Sequence, residues 1–387
     1  MKLCFAANAD SIHTRRWVSF FVKQGHDVTV VTHSKEKIEG ANMIRLPTLF
    51  ESEIKNPLLL TILKPFFGKL RTGRIFSFGV NLILGLFKAP KIIRNLKPDL
   101  VHAHFVSNYG LYAALSGVKP FVLTPWGTDV LVLANKNFLF NRVTKFVLKK
   151  ADLITSDGDN TIEAVVKLGA DPSKIKKIYF GVDTDSFSPS KRDPEYINKI
   201  TSGKKVTVIS LRGLDPIYNV ELLVKAIPLA LKEYPDLFFI IVGRGSQSDY
   251  LKQLAKELNV ESNVKFIPFL SDDDLRKILA SCDIYVSTSL SDSGLAASTA
   301  EAMASGLPVL ITETGSSKDW VTDNVNGFII SKDSPFFLAE KIILLAKDEK
   351  MRKSFGEKNR SIIKERQDYR GEMTKMENLY LKLISEK

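Results

Sequence analysis

Only two cysteines, Cys4 and Cys282, occur in the 387 residues, so no disulfide framework is expected and a reducing cytosol suits the chain. No run of about 18 uninterrupted apolar residues is present, so no spanning helix is expected. The opening MKLCFAANADS lacks the apolar core and small-residue cleavage site of a signal peptide and reads as a first strand. No dinucleotide fingerprint G-x-G-x-x-G exists either. ANADSIH follows the first strand, and Ser248 stands where a third glycine after Gly243 and Gly245 would be. Both facts count against a dinucleotide-dependent oxidoreductase. Helix-turn-helix, zinc-finger and RNP patterns are missing, so no nucleic-acid partner is expected. No His/Asp cluster has metal-ligand spacing, and neither a metal nor a cofactor is expected.

What is there is ordinary globular composition, 44% hydrophobic and 25% charged, on a chain long enough for two cores. The net charge of +12 is uneven. Residues 1–190 hold 26 Lys+Arg against 15 Asp+Glu, and the remainder holds 29 against 28. A basic half points to an anionic partner such as a membrane surface or a phosphorylated substrate. Within it, residues 53–97 mix Leu, Ile and Phe with nine basic side chains, and a basic amphipathic segment can lie in a membrane interface. Packing on a sheet with a solvated basic face is the other reading of that segment.

Short apolar runs at 2–6, 27–32, 99–104, 121–124 and 153–155 read as strands, with a helix over 12–24 that starts after Asp10 or Ser11 and ends at Gly25. A second series runs 206–211, 238–243, 264–269, 283–288, 308–312 and 327–330, with helices at 219–234, 247–258, 273–281 and 296–305. Alternation of this kind predicts α/β domains with parallel sheets. The polar segment 186–204 reads as the linker. Residues 1–187 form the first Rossmann-like domain and 188–369 the second, with the helical tail 370–387 packing back on the first.

Ligands of open α/β sheets bind at the carboxyl ends of strands, where helix N-termini offer free N–H groups. Arg212 follows a strand directly and could hold a diphosphate. Gly243, Arg244 and Gly245 form a strand-to-helix turn open to close backbone approach. The run STSLSDSGLAASTAEAMASGLPVLIT (287–312) takes a strand through a loop into a small-residue helix. Ser291, Asp292 or Ser293 can cap that helix, and the amides near Gly294, Leu295 and Ala296 suit phosphate or sugar hydroxyls. Glu301 in the helix suits ribose hydroxyls. In the first half, His104 ends a strand, and His102 is expected to face the strand's opposite side. Ser11, Trp126 and Asp129 are further candidates, Trp126 because aromatic faces suit sugar rings.

At these residues the sequence resembles the family-4 retaining glycosyltransferases of the GT-B fold. EAMASGLPV (301–309), GVDTDSFSP (181–189), SIHTRRWVSFFVKQGHDVTVV (11–31), PDLVHAHFVSNYG (98–110) and TPWGTD (124–129) carry the resemblance, which spans nearly the whole chain. It implies two Rossmann-like domains facing each other across a cleft and a metal-independent transfer from a nucleotide sugar. The acceptor would be a glycan or a lipid-linked molecule, reached at the inner face of the cell membrane. Arg212 matches the family's diphosphate-binding arginine, and Glu301 the second of two glutamates eight residues apart. The first of that pair is Ser293 here, with Asp292 adjacent and able to substitute for it in holding the donor. Where the family usually has a lysine, Tyr218 and Asn219 stand. These departures keep open a second reading, a catalytically weak sugar-nucleotide-binding protein that partners an active transferase.

Overall fold

The computed structural model describes residues 1–47, 85–292 and 294–387. The chain divides into two compact units. One comprises Met1–Ser156, Thr161–Ile178 and Met373–Lys387, and the other Asp157–Asn160 with Tyr179–Glu372.

The first unit is built on a parallel sheet of seven strands: β1 (Lys2–Ala6), β2 (Asp27–Thr32), β3 (Asn42–Arg45), β4 (Leu100–His104), β5 (Phe121–Thr124), β6 (Leu153–Ser156) and β7 (Ile175–Lys177). Their order is β3-β2-β1-β4-β5-β6-β7. Neighbours β1 and β4 therefore lead to opposite halves of the sheet, and a crevice opens beyond their carboxyl ends. The Ile12–Lys23 helix leaves β1 and buries Trp17, Val18, Phe20 and Phe21. Gly25 ends it at φ +79°, a left-handed turn that suits glycine. The last helix, Tyr369–Ser385, contributes its residues from Met373 onward to this unit. Tyr380 stacks on Phe21 with ring centroids 4.9 Å apart, and Glu377 meets His26 at 2.6 Å.

The second unit repeats the plan with β8 (Val206–Leu211), β9 (Leu237–Val242), β10 (Val264–Ile267), β11 (Ile284–Ser287), β12 (Val309–Thr312) and β13 (Gly327–Ile330), in the order β10-β9-β8-β11-β12-β13. Here the crevice lies between β8 and β11. The strands are buried along almost their whole length, as parallel strands covered on both faces must be. Helix starts are locally encoded. Ser271 accepts from the Asp274 amide ahead of three acidic residues in the first turn, and Ser334 does the same for Phe337 ahead of Pro335.

Segment 186–204, read as a linker, carries a helix at Pro194–Thr201. Asp193 caps it through the Tyr196 amide at 3.0 Å, Pro194 occupies its first turn, and Ile197 is buried against the second unit's core. An Asp-Pro pair is a helix start as well as a turn signal, and the apolar residues behind it decide which.

Candidate functional site

Arg212 is the residue after β8, and its side chain is only 8% exposed. Its Nη2 donates to Asp292 Oδ1 at 2.5 Å, and its Nη1 lies 3.5 Å from Ser298 Oγ. The guanidinium carbon sits 4.8 Å from the centre of the Tyr218 ring, a cation–π contact. Nε has no hydrogen-bond partner among the described residues. Burial works against the positive charge, but Asp292 beside it more than offsets this, and the guanidinium's pKa is raised.

The Asp292 side is equally tied down. Thr314 donates to its Oδ2 at 3.4 Å, and Asn160 donates to its backbone oxygen at 3.1 Å. The β8 and β11 loops are joined by Leu290 N to the Ile217 carbonyl at 2.8 Å and by Thr288 Oγ1 to the Tyr218 carbonyl at 3.0 Å. Ser298 belongs to the Ala297–Ala304 helix, whose N-cap Ala296 offers no side-chain cap. Of the three capping candidates read from the sequence, Asp292 does not cap: its carboxylate goes to Arg212, and Ala296 is the N-cap. A charge-assisted bond to a buried guanidinium outweighs one to a neutral amide. The N-cap position thus supplies the first-turn amides with no side-chain acceptor. Glu301 follows Ser298 by three positions, hence on the same helix face, and is 6% exposed.

Arg212, Asp292, Tyr218, Ala296 and Glu301 therefore gather around the β8–β11 crevice, with Gly294 and Leu295 buried in the loop between. Gly294 packs on Asp157, where a Cβ would come within 3.0 Å of the Asp157 carbonyl oxygen. Ser293 lies outside the described residues. Gly243 and Gly245 are required by packing. A Cβ on Gly243 would run into the Arg212 carbonyl, and one on Gly245 into the Leu214 backbone. Leu214 N donates to the Arg244 carbonyl at 2.9 Å and Gln247 N to the Leu214 carbonyl at 2.8 Å. These glycines let the β9 loop lie directly on the loop that carries Arg212. Arg244 itself is exposed, with its guanidinium 5.8 Å from the Phe269 ring, and shares none of the contacts that hold Arg212. Ser298 and Tyr285, whose hydroxyls meet at 2.8 Å, were not foreseen. The spacing of Ser298 from Glu301 was the available signal.

In the first unit the strand end at the crevice carries buried imidazoles. His104 is fully buried, and its Nδ1 meets Thr14 Oγ1 at 3.1 Å. Its Nε2 has no hydrogen-bond partner among the described residues. Burial, with His13 nearby, lowers its pKa to about 3. His102 does not face the other side of the strand. Its ring centroid is 4.7 Å from that of His104, because residues two apart on a strand share a face. Its Nδ1 meets Tyr380 Oη at 2.5 Å and its Nε2 meets Thr124 Oγ1 at 2.7 Å. After His104 the chain turns through Phe105 at φ +77°, a strained conformation for a side chain with a Cβ.

Asp129 helps hold that turn: its carboxylate accepts from the Val106 amide at 2.8 Å and the Trp126 amide at 3.0 Å. Full burial pushes its pKa up to about 6 despite those amides. Trp126 is half-buried, 5.8 Å from His104 between ring centroids. Ser11 precedes the Ile12–Lys23 helix without a capping bond from its hydroxyl. Thr14, one turn further on, is the residue that reaches His104. Of the basic segment, 53–84 lies outside the described residues. Residues 85–95 are helical, with Lys88, Lys91, Arg94 and Phe87 exposed.

Residues 193–362 match the family described as glycosyl transferases group 1, and residues 2–158 match the family described as glycosyl transferase 4-like. N-acetyl-alpha-D-glucosaminyl L-malate synthase of Bacillus anthracis is 25% identical over 287 residues, 72% of this chain and 73% of that protein. Among solved structures, Anabaena HepE in complex with UDP superposes with a TM-score of 0.77 at 19% identity, covering 99% of this chain and 100% of that one. Sucrose-phosphate synthase of Thermosynechococcus elongatus gives a TM-score of 0.81 at 16% identity, with 100% of both chains covered.

Proposed function

Because the chain belongs to the family-4 glycosyltransferases of the GT-B fold, we propose that it transfers a sugar from a UDP- or GDP-sugar to a glycan or lipid-linked acceptor, retaining the anomeric configuration and using no metal. The observation that carries this is the buried Arg212 guanidinium beside the uncapped Ala297–Ala304 helix, in the β8–β11 crevice. UDP as donor nucleotide draws further support from the UDP complex of Anabaena HepE. The donor's diphosphate takes the place of the Asp292 carboxylate on Arg212, and Glu301 receives the ribose hydroxyls. The bond from the anomeric carbon to the phosphate oxygen breaks, and the acceptor oxygen bonds to that carbon on the same face. Its proton passes to the departing phosphate oxygen. Arg212 and the helix amides meet the charge that develops on the diphosphate, where fixed donors act most strongly. His104 is the first unit's catalytic residue, hydrogen-bonding near the reacting carbon or the acceptor, while Ser11, Trp126 and Asp129 are assigned to the acceptor side, with Asp129 and Thr14 as positioning residues. The protein works from the cytosol at the inner membrane surface, peripherally.

The test is turnover with a panel of nucleotide sugars in EDTA, followed by NMR of the product anomer. Nucleotide release without added metal and a product of unchanged anomeric configuration are expected. An inverted product overturns the retaining course, and a requirement for a divalent ion overturns metal independence. The second reading, a catalytically weak binding protein, is favoured by the Arg212–Asp292 pair, which already neutralises the cation a donor would need. Tight nucleotide binding with no nucleotide release from any donor would establish it.

A further inference from the structure

The Phe138–Lys150 helix of the first unit has two unlike faces. Thr144, Val147 and Leu148 point into the core. Phe138 is 73% exposed and Leu139 69% exposed, and Phe146 is exposed about two turns further on. Arg142, Lys145, Lys149 and Lys150 are exposed as well. At about 100° per residue, 138, 142, 145 and 149 share one line along the helix, with 139 and 146 flanking it. Apolar rings and cations thus occupy the same face. They are also paired: the Arg142 guanidinium lies 4.9 Å from the centre of the Phe138 ring, and Lys150 Nζ lies 5.9 Å from that of Phe146. No Asp or Glu occurs from 130 to 151, while Lys136 adds a further exposed cation just before the helix.

We infer that this face is the surface by which the protein lies on an anionic lipid bilayer, an assignment that rests on the membrane-surface reading above and gives it a place on the molecule. Large apolar side chains on an exposed helix lose free energy in water, and they recover it by entering the boundary between headgroups and acyl chains. Cations beside them then sit at the depth of the lipid phosphates, with their stems over the rings. A second copy of the chain is disfavoured as the occupant, since a two-fold contact through this face would set cation against cation. A nucleic acid would leave Phe138 and Leu139 unused.

The test is flotation of the full chain with vesicles of phosphatidylcholine alone and of phosphatidylcholine mixed with phosphatidylglycerol. Wild type is expected to float with the mixed vesicles, less so as salt rises, and not with the neutral ones. Two double variants, Phe138→Ser with Leu139→Ser and Lys145→Glu with Lys149→Glu, should each weaken binding about tenfold or more. Because all four side chains are exposed, the variants should keep the wild-type melting temperature. If wild type binds the mixed vesicles and both variants bind equally well, the helix is the wrong surface while the membrane reading stands. If wild type binds no vesicle, the membrane reading fails and takes the assignment with it. A wild-type dimer that the variants abolish, with vesicle binding unchanged, also overturns the proposal.

Discussion

Replacing Asp292 by Asn leaves the shape of the crevice intact and removes one negative charge from Arg212. The two side chains meet at 2.5 Å and are only 8% and 17% exposed, so solvent screens them weakly. With charge centres roughly 4 Å apart and an effective dielectric of about 20, the attraction is on the order of 4 kcal/mol. Asparagine keeps an oxygen that can accept from Nη2, and a hydrogen bond to a charged group recovers about half of that. The net loss, about 2 kcal/mol, has two consequences. The second unit should melt about 4–8 °C lower. A nucleoside diphosphate, which in the wild type must displace the carboxylate, should bind about 10- to 30-fold more tightly.

Isothermal titration of UDP and GDP against both proteins, paired with melting curves with and without nucleotide, reads both effects. The nucleotide-induced rise in melting temperature should be larger for the variant, because tighter binding to the folded state stabilises it more. Arg212→Ala is the control and should lose most diphosphate affinity. Weaker nucleotide binding by Asp292→Asn than by wild type would refute the reasoning. It would mean that Asp292 contributes to the nucleotide site rather than occupying it.

Arg212→Ala should lower turnover by about 100- to 1000-fold, the usual cost of removing one donor to a developing oxyanion, measured as kcat with saturating donor. Gly243→Ala forces a Cβ against the Arg212 carbonyl, so the donor KM should rise several-fold while the acceptor KM stays unchanged. Stability should fall as the pH drops below about 6.5. His13 and His104 have pKa values lowered to about 4 and about 3, and His102 is lowered well below its usual value. Their unfolded forms take protons that the folded forms refuse. Asp129, raised to about 6, opposes this with one proton held by the folded state. The balance near pH 5.5 is about two protons, a slope of roughly 2–3 kcal/mol per pH unit, which urea unfolding at pH 7.5 and 5.5 checks. Tyr380→Phe leaves His102 Nδ1 without its partner and should cost about 1–3 kcal/mol, read in the same unfolding assay.

Most strands were legible because parallel strands buried on both faces are near-continuous apolar runs, such as VTVISL at β8 and LFFIIV at β9. The two missed strands, β3 with NMIR and β7 with IKK, are short edge strands whose charges face solvent. Nothing in their composition separates them from loops. Arg212 was legible from its place directly after a strand. Its partner was not, since an Asp in a Ser/Gly loop reads as a cap until a buried guanidinium is known to stand beside it. The neighbour relation of His102 and His104 needed only the two-residue period of a strand. Their third companion, Tyr380, is 278 residues from His102, a separation no local pattern spans.

The two sheets share one strand order and so present two equivalent crevices, yet the chain fills them with opposite electrostatics. At β8–β11 a buried guanidinium is paired with the Asp292 carboxylate, beside a helix whose N-cap residue, Ala296, offers no side-chain acceptor. At β1–β4 the buried imidazoles are held neutral, Asp129 is spent on backbone amides, and aromatic rings of Trp17 and Trp126 flank His104. Aromatic rings and uncharged imidazoles without a cation beside them suit sugar hydroxyls better than phosphates. Repeating a fold supplies two positions for loops. Only the residues placed there set the two crevices apart, and in this chain the buried guanidinium stands at the second unit's crevice although the excess of basic residues lies in the first half.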